Sequence, residues 1–130
     1  MEYNNYKARL EIINKVTSEH ELIEVHAGKC RYNYKCQMNA VHEALKKGDK
    51  KIAMTVYIDG KYPIIHFINY RKDKFVDNTL GEWSARKKYY FVKWITQEEF
   101  WEVDGIFGAY REVLRNSLSL WVKLTSNYDS

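Results

Sequence analysis

Proline is nearly missing from this chain: among 130 residues only Pro63 is one. With just six glycines beside it, the sequence has few compulsory breaks, which excludes a linker-like or collagen-like design and favours regular elements. Cysteine is scarce too. Cys30 and Cys36 are the only two, too few to staple a domain of this size, so in a reducing compartment both are free thiols. No apolar run approaches the ~20 residues that cross a bilayer. The opening Met1-Glu2-Tyr3-Asn4-Asn5 has neither the basic nor the apolar region of a secretory signal. The expectation is a cytoplasmic protein with no membrane partner. Charge of one sign is not in large excess either. Twenty-one Lys and Arg against 17 Asp and Glu leave +4, a weak preference for anionic partners.

What is present is a globular balance, 45% hydrophobic and 29% charged, in a length that builds one core without staples. A single domain over 1–130 is expected, with its core at about 20–115 and an N-terminal helix at about 5–16. Tyrosine is the unusual component: eleven, with four tryptophans. Beside the basic clusters Lys46–Lys51, Arg71–Lys74 and Arg86–Lys88 they could act as stacking faces for single-stranded nucleic acid. Their alternating placement fits half-buried sheet positions better, and the clusters themselves read as solvated turns.

Asn4 or Asn5 can cap the first helix, with Leu10, Ile13 and Val16 on its apolar stripe. Glu21–His26 reads as one short strand ended by Ala27-Gly28, and Lys29–Lys35 as irregular. A second helix starts near Cys36 and stops at Gly48, with Met38, Val41, Ala44 and Leu45 facing the core. From Ile52 the period changes to alternation. Strands at Ile52–Ile58 and Tyr62–Tyr70 flank an Asp59-Gly60 hairpin signal, and a turn through Arg71–Lys74 leads to a third strand ending at Asp77. If the last two pair symmetrically about Lys72 and Asp73, His66 and Asp77 are close on adjacent strands. Tyr89–Ile95 supplies a fourth strand, and Thr96-Gln97-Glu98-Glu99 is a capping box. Two short helices separated near Asp104-Gly105 follow, then a tail, Leu118–Leu124, that forms a final strand or covers the core. The fold class is α+β: an antiparallel sheet of four to five strands with the Cys36 helix packed on it.

A thiol at a helix start followed by a strand histidine and a strand-end aspartate is a pattern with chemical meaning. Helix N-termini and neighbouring imidazolium groups favour the thiolate, which is the nucleophile, and a carboxylate orients the imidazole. The segments Cys36-Gln37-Met38-Asn39-Ala40, Ile64-Ile65-His66-Phe67-Ile68-Asn69 and Lys74-Phe75-Val76-Asp77-Asn78-Thr79-Leu80-Gly81 resemble small papain-like or transglutaminase-like proteins of tailed bacteriophages. The resemblance spans roughly 28–95. It implies a papain-like or transglutaminase-like core and a cysteine-dependent hydrolase or acyltransferase: a protease, deamidase or transglutaminase. In it Cys36 is the nucleophile, His66 the general base and acid, and Asp77 the orienting carboxylate, with Asn39 supporting the site turn. No cofactor is implied. The partner it implies is a protein or peptide substrate, such as a host protein met in the host cytoplasm. Papain-like enzymes carry an oxyanion-binding glutamine six positions before the cysteine, whereas here that position is Cys30. The Cys36 backbone N–H offers one oxyanion donor, and Asn33 or Tyr34 just before it are candidates for the second.

Other readings use the same residues. Cys36 alone is also a small buried hydrophobe, and Asp77 before Asn78-Thr79 is a sound turn residue. His26, Cys30, Cys36 and His42 could be assembled into a two-Cys, two-His zinc site, although neither pair has the tight knuckle spacing of common zinc sites. A catalytically inactive scaffold is the rival from another class. It would bind a host protein or nucleic acid, for example as an inhibitor of host defence, through its basic turns and Trp83, Trp101 and Trp121.

Overall fold

Ala8, Ile12 and Val16 recur every four residues, which puts them on one line of a helix. They are the buried face of α1 (Glu2–Glu19). The computed structural model describes residues 2–31 and 35–126, with side chains from residue 5 onward. The helix is longer than the expected 5–16, and its stripe is rotated: Leu10 faces solvent and Ile13 is only half-buried. Small Ala8 is the reason, since it lets the helix lie close to its neighbours while the bulkier Leu10 points away.

The chain is mixed α and β, with a curled six-stranded sheet ordered β1-β6-β3-β4-β5-β2. Its strands are β1 (Glu21–Ile23), β2 (Val25–Ala27), β3 (Lys51–Asp59), β4 (Tyr62–Arg71), β5 (Lys74–Asp77) and β6 (Lys88–Thr96). The count exceeds the expected four or five because the segment read as one strand, Glu21–His26, is two. Ile23 pairs with Tyr89 at one edge of the sheet, whereas Val25 pairs with Phe75 at the other. Only Glu24 separates them, so the sheet must bend round until its edges meet there. The β2–β5 pair is parallel, a second correction to an all-antiparallel sheet. Three-residue strands with single partners carry too little periodicity to announce themselves.

Both faces of the curled sheet are covered. Ile52, Met54 and Val56 of β3, Ile65 and Phe67 of β4 and Ile95 of β6 pack on the helices. The alternate residues Ala53, Tyr57, Ile68 and Tyr89 pack inside the curl, against Ile23, Val25, Phe75, Phe91 and Trp94. Phe75 and Trp94 stack with centroids 5.7 Å apart. Much of the aromatic surplus is therefore sheet interior. A bulge between Met54 and Thr55 shifts the register with β6, so both Phe91 and Trp94 turn inward despite their odd spacing.

Helix α2 (Cys36–Lys47) lies on β4 and β3. Gly48, at φ 74°, closes it in the left-handed conformation, and Lys46 and Lys47 favourably meet the negative end of its dipole. Its buried face is Cys36, Asn39, Ala40, Glu43 and Ala44; of the expected stripe Ala44 is buried and Val41 packs against the core, whereas Met38 and Leu45 turn out. Met38 is 62% and Leu45 50% exposed. Polar Asn39 and Glu43 turn inward because each meets a partner there, Asn39 the buried Thr79 and Glu43 the part-exposed cations Lys29 and Arg31. After β6 the Thr96–Glu99 capping box is formed, but it opens a 3-10 turn at Gln97–Glu102 that runs directly into α3 (Val103–Asn116). The junction is at Val103, and Gly105 sits inside the helix. The tail forms a helix, α4 (Leu120–Thr125), which contacts α1 and buries Val122. Among the described residues no helix is long and apolar enough to cross a membrane.

Two hairpins set the site strands. Gly60 at φ 62° is the first of the two loop residues between Asp59 and Tyr62, and Lys72 and Asp73, both at positive φ, join Arg71 to Lys74. Pairing Asn69 with Val76 sets Asp77 level with Ile68, so Asp77 is the diagonal neighbour of His66 on the adjacent strand. Strand β5 stops at Asp77, and among the described residues β4 from Ile68 back to Tyr62 has no strand partner on that side. Where the chain passes from β2 over the end of β5, Gly28 donates its N–H to the Asp77 carbonyl (3.0 Å). A Cβ at Gly28 would lie within 3 Å of Asn78 Oδ1, 2.6 Å from Val76 Cγ1 and 2.9 Å from the Asp77 carbonyl oxygen. The backbone atom cannot yield. Gly28→Ala is expected to lower stability by about 1–3 kcal/mol, read as a lower urea midpoint; an unchanged midpoint would contradict so close a crossing.

Candidate active site

The stretch of β4 left uncovered by β5 carries His66. Its ring lies inside the curl, edge-on to Tyr57 at 5.0 Å between centroids, and the residue is 3% exposed. Buried imidazoles need partners. Nε2 lies 2.8 Å from Asp77 Oδ2, which leaves Nδ1 as the ring nitrogen for the second interaction, with the Cys36 side chain. Cys36, His66 and Asp77 are thus neighbours in the folded chain, brought together from α2, β4 and the end of β5.

Asp77 is completely buried and fully engaged. Oδ2 also accepts from the Tyr89 hydroxyl, while Oδ1 accepts the backbone N–H groups of Thr79 (2.8 Å) and Leu80 (2.9 Å). Burial alone would raise its pKa. The bond to His66, the Tyr89 hydroxyl and the Leu80 N–H outweigh it and hold the carboxyl below its usual range. For His66, burial disfavours the imidazolium, but Asp77 and Cys36 reverse that and raise its pKa to about 9. Burial pushes Tyr57 up to about 12 and Tyr89 higher still, so both phenols remain protonated donors at neutral pH.

A polar framework holds these parts in register. Asn39 donates from Nδ2 to Thr79 Oγ1 (3.0 Å), tying the first turn of α2 to the loop after Asp77. Asn69 donates to the Ala40 carbonyl (2.9 Å) and accepts from Asn78 (2.8 Å). The segment 28–31 is laid over that loop: Lys29 N–H bonds Asn78 Oδ1 (3.1 Å), Arg31 N–H bonds the Thr79 carbonyl (2.7 Å), and Cys30 bridges to Leu80. Glu43, turned inward from α2, anchors the strap through Lys29 at 3.0 Å and Arg31 at 3.6 Å. Burial raises the Glu43 pKa, but Lys29 outweighs it and leaves the carboxyl low.

A cavity of about 450 Å³ adjoins the pair, both of which are largely buried, and is lined by Cys36, Gln37, Ile64, His66 and Phe107 among others. Cys36 Sγ donates to Gln37 Oε1 at 3.2 Å. The start of α2 has no side-chain cap, so its first N–H groups are not occupied in that way. Asn33 and Tyr34, expected as oxyanion donors, lie outside the described residues. Sequence reasoning missed Gln37, Tyr57, Tyr89 and Thr79. Gln37 adjoins the thiol and was within reach of it, and Thr79 lies in the quoted motif. Tyr57 comes beside His66 through the register of β3 with β4, and Tyr89 of β6 reaches Asp77 only across the curl; neither has a motif of its own to mark it. Among the described residues no three His, Cys, Asp or Glu side chains are grouped to hold a metal ion, so His26, Cys30, Cys36 and His42 are not assembled as a site.

No family model, curated protein or solved structure matches this chain.

Free-chain histidine titrates near 6.5, and His66 in the fold near 9. A raised folded value stabilises fully below about pH 6.5, and that stabilisation disappears as pH rises through about 9. Wild-type protein is expected to lose urea stability across that window, and His66→Gln to lose the slope. Equal slopes in the two proteins would show that the ring is not held as imidazolium.

Proposed function

We propose that this chain is a cysteine-dependent hydrolase or acyltransferase, of protease, deamidase or transglutaminase type, built on a papain-like or transglutaminase-like core. The single observation carrying the reading is the His66 ring, engaged by Asp77 at Nε2 and by Cys36 on its other side. That is the relay such chemistry requires.

In the first half-reaction the Cys36 sulfur attacks the carbonyl carbon of an amide or ester. The carbonyl π electrons move to oxygen, and the negative charge is received by the Cys36 backbone N–H and the Gln37 carboxamide, which takes the part of the missing upstream glutamine. The Gln37 amide can turn its nitrogen toward the site by rotation about its terminal bond. His66 then gives its proton to the leaving amine or alcohol, the C–N or C–O bond breaks, and a thioester remains on Cys36. Water or an acceptor amine, losing a proton to His66, attacks that thioester, the C–S bond breaks and Cys36 is freed for the next cycle. Asp77 keeps the ring in place throughout. Tyr89 and the two backbone donors keep Asp77 from rotating, and Asn39 positions the loop that supplies them.

The acyl donor in this reading is a protein or peptide, and the resemblance to phage proteins makes a host protein in the host cytoplasm the natural target. The binding-scaffold reading draws on a separate observation: Trp101 and, on α4, Leu120, Trp121 and Leu124 are large apolar side chains left mostly in solvent, groups suited to contact with another macromolecule.

Alkylation separates the two. At about pH 6, where an ordinary thiol is almost wholly protonated, iodoacetamide is expected to modify Cys36 well ahead of the more exposed Cys30, and His66→Ala to abolish that preference. With p-nitrophenyl acetate, intact mass should reveal one acetyl group, absent from Cys36→Ala. Faster modification of Cys30, together with no acetyl adduct, would sink the enzyme reading.

A further inference from the structure

A second cavity, of about 320 Å³, adjoins the first and shares Tyr57, Thr79 and Leu80 as common walls. Its other lining residues are Cys30, Arg31, Asp59, Trp83 and Lys87. We propose that this lobe is the specificity site for an acidic side chain, aspartate or glutamate, in a peptide or protein substrate whose neighbouring carbonyl is presented to Cys36.

The two lobes differ in chemistry. Around Cys36 and His66 the walls are Ile64, Ile65 and Phe107, which suit an apolar neighbour. Across the Tyr57–Leu80 divide, two cations face the space and one carboxylate answers them. Lys87 is held in place: its side chain is 12% exposed, and its amine sits 5.5 Å above the Tyr57 ring. An anchored ammonium loses little further freedom on meeting a carboxylate. Its present partner, Asp59 at 3.3 Å, has a side chain 58% exposed, so that pair is screened by water and contributes little. A substrate carboxylate entering the lobe can take the place of Asp59.

Arg31 is fixed from behind. Its backbone is bonded to Thr79, and its guanidinium stands 3.6 Å from Glu43, whose nearer partner is Lys29 at 3.0 Å. A guanidinium has five donors in a planar fork suited to a carboxylate, and that one long contact leaves donors for the lobe. Trp83 forms an apolar wall for the methylenes of a glutamate, and Arg86 lies 5.6 Å over its ring, adding positive charge beside the lobe. The net sign is positive, which draws anions and repels lysine side chains.

This assignment rests on reading the Cys36 cavity as a substrate site, but its test does not need turnover. Cys36→Ala leaves Cys30 as the only thiol, and Cys30 is an exposed lining residue of the lobe itself. The rate of its alkylation by uncharged N-ethylmaleimide reports occupancy. The capped tripeptide acetyl-Leu-Gly-Glu-NH2 is expected to slow that rate several-fold at saturation, and the Gln and Lys versions to have little effect. Adding Lys87→Gln, or separately Arg31→Gln, should raise the concentration of Glu peptide needed by about tenfold, the loss of one charge-assisted bond; circular dichroism checks that each variant is folded. Equal protection by the Lys or Gln peptide, or none by the Glu peptide, overturns the assignment. Acetylation of Cys36 without acidic selectivity would remove this inference and leave the proposed chemistry standing. Protection of Cys30 by the Glu peptide without acetylation of Cys36 would keep the lobe as an acidic-side-chain site and overturn its role in presenting a carbonyl to Cys36.

Discussion

One carboxylate organises this structure. Asp77 is wholly removed from water, and an isolated charge there would be strongly disfavoured. It survives because four donors from three places converge on its two oxygens: the His66 ring, the Tyr89 hydroxyl and the N–H groups of Thr79 and Leu80. Each donor fixes a different piece of chain. His66 fixes β4, Tyr89 fixes β6 across the curl, and the backbone pair shapes the loop after β5. Removing the charge would release all three at once, which is why the residue serves fold and candidate chemistry together.

The curl makes that convergence possible. In a flat sheet, β6 and β5 are three positions apart in the order β6-β3-β4-β5, and a side chain of β6 would not reach the end of β5. Splitting Glu21–Ala27 between the two edges, with Glu24 as the joint, bends the sheet until Tyr89 and Asp77 meet. The same bend encloses the aromatic cluster of Phe75, Phe91 and Trp94. Its apolar area drives closure, and the polar pair at the mouth gives the closed state its register.

Electrostatics and access then divide the site. Asp77 is satisfied and sealed, His66 is charged and nearly sealed, and Cys36 meets an open cavity. The carboxylate thus lies toward the interior and the thiol toward the cavity, the order that the proposed nucleophilic chemistry would use. The polar framework of Asn39, Asn69, Asn78 and Glu43 belongs to the same arrangement, because it fixes the start of α2 against β4 and the 78–81 loop without placing further charge beside the sulfur.

By itself, the order of residues determined the local elements. Helix α2 from Cys36 to its glycine stop, the strands at β3, β4 and β6, the Asp59-Gly60 hairpin signal and the Thr96–Glu99 cap were all legible, since each depends on periodicity or turn chemistry within a few residues. Cys36, His66 and Asp77 could be singled out for the same reason: their motifs are local. Tertiary structure alone decided the rest. Nothing local distinguishes Glu21–His26 as two strands serving opposite edges, or turns Met38 and Leu45 outward in favour of Asn39 and Glu43. Nor does it join the tyrosines of β3 and β6 to a histidine and an aspartate in the hairpin between them. Those outcomes follow from long-range pairing, where burial of a polar group is permitted only once a distant partner has arrived to meet it.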